Sequence, residues 1–507
     1  MNQLSMIETI NVEELAKGSK LSIYTAINPN FINELINESN NEDYDKLFQN
    51  QKGLSDLFVQ DYSDRVKLIS KSSGYAWTDK LLWEEKDNCH FVKMIMRYLH
   101  VKVLDEIGKV AKRKMSDNDR TNEISKLSKL LYKCQDYTFC EKVFKTSQSE
   151  LMDIEFPNKL NNSPNELPIK GGKIIDLKTL KVRGRYRTDF FSFELDVDYL
   201  KNDKLEHANK FFSEVMGKDE ESIKFLQKIL GYSMTGETDL RSFFIFWGKG
   251  SNGKSVINEF MRLILKSMYT SVDKRVFLKS NRTESHTEFL MPLLTARFGG
   301  LSEVDKEETI NENLIKKLTG NDPIDGRALY GRQMTFKPKC KYFMLTNNKP
   351  KLNVNDEAAV SRCVFIEYAC KFVDNPTKPN EFKKDTKFIE DLQTKYLNEV
   401  FTWLCIGANN YYNNRILILP KKIQDSTNGY INEQDKVQDF INDNIESIEL
   451  SDVKRSDVFK SYENYCTSNG YDPLSKQELF KDLEKKGFEL KKTKGEYYYK
   501  NLKFIEN

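Results

Sequence analysis

A run of five apolar residues, Phe243-Phe244-Ile245-Phe246-Trp247, leads straight into Gly248-Lys249-Gly250-Ser251-Asn252-Gly253-Lys254-Ser255, after which Val256, Phe260, Leu263 and Ile264 recur at helical spacing. No other stretch restricts the fold so tightly. A continuous apolar run suits a strand buried on both faces of a parallel sheet, and a 3.6-residue period suits a helix packed beside it. Between them stands the pattern G-x-x-x-x-G-K-[ST], whose glycines let main-chain N–H groups curl around a di- or triphosphate. The following helix adds its positive N-terminal end, Lys254 reaches the outer phosphates, and Ser255 can hold Mg2+. A strand, a phosphate loop and a helix that together bind a nucleotide are expected here.

At 507 residues the chain exceeds what one hydrophobic core supports, and three or four domains are expected. Its 79 basic and 76 acidic side chains nearly cancel, which excludes a global polycation and confines any nucleic-acid contact to local clusters. The eight cysteines include no C-x-x-C, and the four histidines stand at no zinc spacing from them, so the thiols read as reduced core residues. Met1 to Lys20 is not a basic stretch followed by an apolar one, and no apolar run long enough to span a bilayer occurs. The expected protein is intracellular and soluble, without a membrane partner.

Residues 1–52 read as short helices broken by an Asn- and acid-rich stretch, Asn37 to Asp45. Residues 53–200 read as a mostly helical domain, with Phe91, Ile95, Tyr98, Leu99 and Val103 on one helical face, a hairpin holding Trp77 and Trp83, and a small closing sheet around Lys173 to Arg187. Residues 201–375 carry the phosphate loop and what serves it, 376–432 form a helical connection, and 433–507 are a separate module. In that module Val458, Tyr462 and Tyr465 mark one helix, Ser475-Lys476-Gln477-Glu478 is a capping box opening a second, and Phe488 to Lys492 and Glu496 to Lys500 flank a turn. Helix, helix and hairpin in that order suggest a winged helix. Lys476, Lys481, Lys485 and Lys486 on or near its second helix would either contact nucleic acid or simply solvate an exposed face.

Nucleotide hydrolysis also needs an acid, a polar sensor of the γ-phosphate and an arginine for developing charge. Glu303, with Asp305 behind it, ends a short candidate strand after Gly299-Gly300. Lys341 to Thr346 reads as a strand ending in Asn347, the candidate sensor, and Arg362 precedes the apolar run Val364-Phe365-Ile366, placed to act on a neighbouring subunit's site. Between acid and sensor, Arg327 to Tyr330 and Met334 to Lys337 can pair as a basic hairpin. There Tyr330, Arg332, Lys337 and Lys339 would meet a phosphate backbone and a base, unless the hairpin is only structural.

The order Gly231-Tyr232, Gly248 to Ser255, Ser302-Glu303, Asn311 to Pro323 with its Leu318-Thr319-Gly320, Phe336-Lys337-Pro338, Thr346-Asn347 and Asp356 to Arg362 resembles the superfamily-three helicases. It is most similar to the poxvirus-type and phage or plasmid primase–helicase family, over roughly residues 54–507. That resemblance implies a multidomain α/β protein: an AAA+ type P-loop core, a mostly helical N-terminal domain and a C-terminal winged helix. It implies a ring, a hexamer, that encircles DNA, uses ATP and Mg2+, moves 3′ to 5′ along single-stranded DNA and unwinds the duplex of forked DNA in a host cytoplasm or viral replication compartment. Lys254 and Ser255 would bind phosphate and Mg2+, Glu303 would serve the metal and water, Asn347 would sense the γ-phosphate, and Arg362 would be the arginine finger, with Arg332 and Arg327 as rivals. Two positions depart from the family pattern: glycines at 299 and 300 replace β-branched residues, and Val360-Ser361 replace an aromatic and a first arginine. No stretch reads as a primase polymerase domain, and Asp196-Val197-Asp198 with His207 reads as structural, so a separate primase or polymerase is the expected partner. The alternatives are an ATP-dependent origin-binding or assembly scaffold, and an RNA-directed helicase with the same core.

Overall fold

The computed structural model describes residues 48–201, 205–279, 287–302, 304–305, 308–327, 333–391 and 395–505. The helices expected within residues 1–47 lie outside that set, as do Glu303, Tyr330 and Arg332. The chain forms two compact units, one reaching to Ile175 and including Val182–Asp196, the other made of Asp176–Lys181 and Val197–Asn507.

In the first unit, Asp87 accepts a hydrogen bond from the His90 N–H at 2.8 Å and so starts the helix Asn88–Lys112, which buries Phe91, Ile95, Tyr98, Leu99 and Val103 as their spacing predicts. Helices Gln51–Tyr62, Asp117–Lys133 and Tyr137–Leu151 pack with it. Strands Ser73–Trp77 and Trp83–Asp87 pair antiparallel with Trp77 opposite Trp83. The Trp83 ring is 1% exposed, and its Nε1–H donates to the Arg187 carbonyl at 2.9 Å.

The second unit is built on five parallel strands: β1 (Phe243–Trp247), β2 (Tyr269–Ser271), β3 (Phe298–Ser302), β4 (Lys341–Thr346) and β5 (Cys363–Glu367), in the spatial order β5-β1-β4-β3-β2. Phe243 and Ile245 join one apolar cluster with Phe277, Ile315, Phe365 and Tyr430, while Phe244 and Phe246 meet Phe343 at 5.0 and 5.4 Å. Residues 243–246 are thus covered on both faces, which is why the run carries no polar alternation. Helix Lys421–Gln434 lies along β5, and the Thr427 hydroxyl meets both the N–H and the C=O of Phe365, at 3.1 and 3.2 Å. One hydroxyl therefore answers a peptide group that an edge strand would leave open.

Gly299 and Gly300 do lie in a strand, because neighbouring side chains occupy the space their own would need. A Cβ on Gly300 would stand 2.5 Å from Asn258 Oδ1, and one on Gly299 would stand 2.7 Å from Val272 Cγ2 and 2.8 Å from Cys340 Sγ. Overpacking of this kind costs about 1–3 kcal/mol. Gly300→Val is accordingly expected to lower the melting temperature by several degrees, and an unchanged thermal melt would show that the strand has room to give.

The basic hairpin exists in a different register from the expected one: Ile324–Arg327 pairs with Gln333–Phe336, not Arg327 to Tyr330 with Met334 to Lys337. Its first strand starts earlier because Ile324 is buried and Gly326 runs so close to Met291 that a Cβ would stand 2.7 Å from Sδ. The last residues form helices Lys436–Asn444, Arg455–Asn469 and Lys476–Lys485, with Ser475 and Glu478 making the reciprocal cap, and a hairpin of Leu490–Thr493 and Glu496–Tyr499 that adds Val453–Lys454. Lys485 pairs with Glu357 at 2.6 Å and Lys486 with Asp435 at 2.5 Å, while Lys476 lies 5.1 Å from the Phe459 ring centre. Two of the four lysines read as an open face are thus taken up by carboxylates of the same chain. Among the described residues no helix is long and apolar enough to cross a membrane.

Candidate functional site

Trp247, Thr346 and Glu367 stand level at the carboxyl ends of β1, β4 and β5, and Ser302 ends β3 beside Leu345. Open parallel sheets bind ligands at this edge. The loop leaving β1 turns through left-handed backbone at Gly250 (φ 93°), Ser251 (φ 50°) and Gly253 (φ 85°). A Cβ on Gly248 would stand 2.1 Å from Asn252 Nδ2 and 2.7 Å from the Tyr368 carbonyl, so the tight exit from the strand requires glycine. Gly253 heads helix Lys254–Leu265 without a side-chain cap, which leaves the first N–H groups and the positive helix end for an anion.

Lys254 is 6% exposed. Its Nζ donates to the Gly248 carbonyl at 2.7 Å, Asn252 Oδ1 at 2.9 Å and Asn347 Oδ1 at 3.1 Å. These acceptors are neutral, and burial lowers the ammonium pKa to about 8. Asn252 is buried and braces the loop by donating to the Tyr368 carbonyl at 3.3 Å. Lys249 and Ser255 are exposed, Ser255 in the helix's first turn.

Asn347, just past β4, is therefore brought to the phosphate-loop lysine. Its neighbour Asn348 donates from Nδ2 to the Val304 carbonyl at 2.8 Å, tying the end of β4 to the residue after Glu303. Asp305 turns elsewhere: its side chain is 79% exposed and meets Lys274 Nζ at 2.8 Å. Arg362 precedes β5 and its carbonyl accepts the Phe243 N–H at 2.7 Å, which places it at the amino ends of the strands. A five-residue strand at about 3.3 Å per residue puts that end roughly 16 Å from the loop, out of reach within one chain. The Arg362 guanidinium donates to the Ala358 carbonyl, and its buried Nε has no partner. Lys337 is exposed beyond the hairpin, whereas Lys339 is half-buried with its pKa lowered by burial and by Arg297; Arg327 ends the first hairpin strand. His207 is held by Glu399 at 2.8 Å and stacked on Tyr396, a structural placement. Sequence reading gave no role at the site to Trp247, whose indole N–H bonds to the Asn347 carbonyl at 3.1 Å, and preferred Asn347 to its neighbour Asn348 as the sensor. The only signal for Trp247 was its place at the end of the apolar run, next to the phosphate loop.

Fold and site together define a multidomain α/β protein with a phosphate-type loop at the carboxyl edge of a parallel sheet. The description "D5 N terminal like" matches residues 55–231, a family of unknown function (DUF5906) matches 246–362, and "Poxvirus D5 protein-like" matches 432–507. Among relatives, "Putative helicase L207/L206" of Acanthamoeba polyphaga mimivirus is 24% identical over 82% of this chain and 45% of its own length. "Putative helicase 022R" of Frog virus 3 is 24% identical over 51% of this chain and 28% of its own, and "Primase D5" of Fowlpox virus 25% identical over 40% and 27%. The chain spans less than half the length of these curated relatives. A solved structure, the apo form of the NrS-1 C terminal region (305-718), aligns at 12% identity with a TM-score of 0.41, covering 68% of this chain and 83% of that one. These matches at either end of the chain, and its viral relatives, support a D5-type primase–helicase family.

Proposed function

We propose that this protein is an ATP-dependent replicative DNA helicase of a virus, phage or mobile element, acting 3′ to 5′ on single-stranded and forked DNA as a ring, a hexamer, beside a separate primase or polymerase. The observation that carries the reading is the convergence of Lys254 Nζ, an uncapped helix end and Asn347 Oδ1 at one sheet edge, with lysine and amide 3.1 Å apart. ATP with Mg2+, when bound, supplies the free energy for strand separation. The loop fits such a group: Gly248 to Ser255 offer main-chain N–H groups and one cation whose partners are all neutral, so a phosphate can replace them without breaking an ion pair. Ser255 and Glu303 would hold the metal, Glu303 and Asp305 would supply acid groups, and Asn347 would orient water. Setting β4 between β1 and β3 suits an AAA+ type core, because it delivers Asn347 between the loop and the chain leading to Glu303. Arg362 at the opposite strand ends suits a neighbour's site and therefore a ring. Tyr330, Arg332, Lys337 and Lys339 would face DNA from the hairpin, and the final helices and hairpin would act as a winged helix.

The Lys254 environment makes binding pH-dependent. In the free protein the ammonium loses its proton as pH rises through about 8. A bound phosphate favours the charged form, so binding takes up protons above that pH and affinity falls with each further unit. Below pH 8 affinity should be level. Calorimetry in buffers of different ionisation enthalpy reads this directly, and the absence of proton uptake near pH 9 would contradict it.

The overall test is unwinding of a forked DNA with a 3′ single-stranded tail in the presence of ATP and Mg2+. ATP-dependent DNA binding without strand separation would point instead to an assembly scaffold.

A further inference from the structure

Asn347 serves a phosphate only if its side chain is held towards Lys254, and a residue just past a strand has no ladder to hold it. The β1–β4 ladder ends with the Gly248 N–H donating to the Thr346 carbonyl at 3.2 Å. One residue further on, the Trp247 indole crosses between the departing chains, and its Nε1–H donates to the Asn347 carbonyl at 3.1 Å. The side chain thus adds a rung where main-chain pairing has stopped. The ring is itself fixed: Lys349 Nζ lies 4.6 Å from the ring centre and is held there by both Glu433 oxygens at 2.7 and 2.6 Å, while Phe365 packs at 5.8 Å. From the other side the Asn348 N–H bonds to Thr346 Oγ1 at 3.0 Å and its amide to the Val304 carbonyl at 2.8 Å. Gripped on both sides, Asn347 rests with Oδ1 3.1 Å from Lys254 Nζ.

We propose that Trp247 is a positioning residue for the sensor, its indole N–H holding the Asn347 main chain so that the amide faces the phosphate that Lys254 binds. This rests on reading the site as one that hydrolyses ATP. Indole is a donor only, and a phenyl ring keeps the packing and the cation contact but has no donor, so Trp247→Phe separates the two roles.

The test uses the full chain and three readings: steady-state ATP hydrolysis, equilibrium binding of a fluorescent ATP analogue, and thermal melting. Trp247→Phe should lower kcat about tenfold, the loss of one hydrogen bond, while analogue binding and melting stay close to wild type. Added to Asn347→Ala it should cost nothing more, because the amide it positions is already gone. A wild-type rate in Trp247→Phe, or a further tenfold fall in the Asn347→Ala background, overturns the assignment. If Trp247→Phe melts early, it is compared with Trp247→His, which keeps a ring N–H: equal rates overturn the assignment and a faster histidine variant supports it. A wild-type protein that does not hydrolyse ATP, or an Asn347→Ala variant that turns over normally, would instead sink the underlying reading of the site.

Discussion

Replacing Lys254 with alanine is expected to weaken nucleotide binding by ~100-fold or more and to abolish ATP-driven strand separation. The ammonium sits almost out of solvent, where its bonds to a phosphate would be little screened, and each charge-assisted bond of this kind contributes about 1.5–3 kcal/mol. Losing two of them accounts for the expected fall. The fold should survive the change, because two of the lysine's three acceptors have independent anchors: Asn252 through the Tyr368 carbonyl and Asn347 through Trp247. Titration with a fluorescent ATP analogue beside a thermal melt checks both halves. Tight binding by Lys254→Ala would remove this residue from the phosphate site.

The second large effect concerns Arg362. Arg362→Ala should cut ATP turnover by about 1,000-fold while leaving nucleotide affinity near wild type, the magnitude seen when an arginine finger is absent. Because Arg362 lies at the far end of the strands from its own phosphate loop, the loss should be repairable from outside. In a head-to-tail ring each subunit's arginine faces the next subunit's site. Mixing Arg362→Ala with Lys254→Ala, each inactive alone, should then restore about a quarter of the sites, those in which an intact loop receives a neighbour's intact arginine. Failure of the mixture to recover, under conditions where the two variants co-assemble, would exclude action between subunits.

What the sequence disclosed was local. The strand, loop and helix around Lys254 are encoded by adjacent residues, as are the Trp77–Trp83 hairpin and the Ser475–Glu478 cap, and each folds as its spacing predicts. What it hid depends on partners distant in the chain. The strand at Gly299-Gly300 is expected, but why glycines stand in it appears only when Asn258 and Val272 are seen to fill the space above them. The hairpin takes a register other than the expected one because burial of Ile324 draws its first strand to an earlier start. Lys485 and Lys486 read as a free basic face only while Glu357 and Asp435, more than fifty residues away for one and well over a hundred for the other, were out of view. Side-chain direction, rather than element type, separated the residues that meet Lys254 from those, such as Asp305, that merely neighbour them in sequence.

The double hydrogen bond from Thr427 to Phe365 has a meaning for how copies of this chain can meet. With its N–H and C=O both bonded to Thr427, Phe365 has neither group left to pair with a foreign strand, which blocks strand-by-strand growth at the middle of the β5 margin. The proposed ring gains from this, since propagation along a shared sheet has no natural stopping point, whereas contacts made by side chains across a rotation close on themselves.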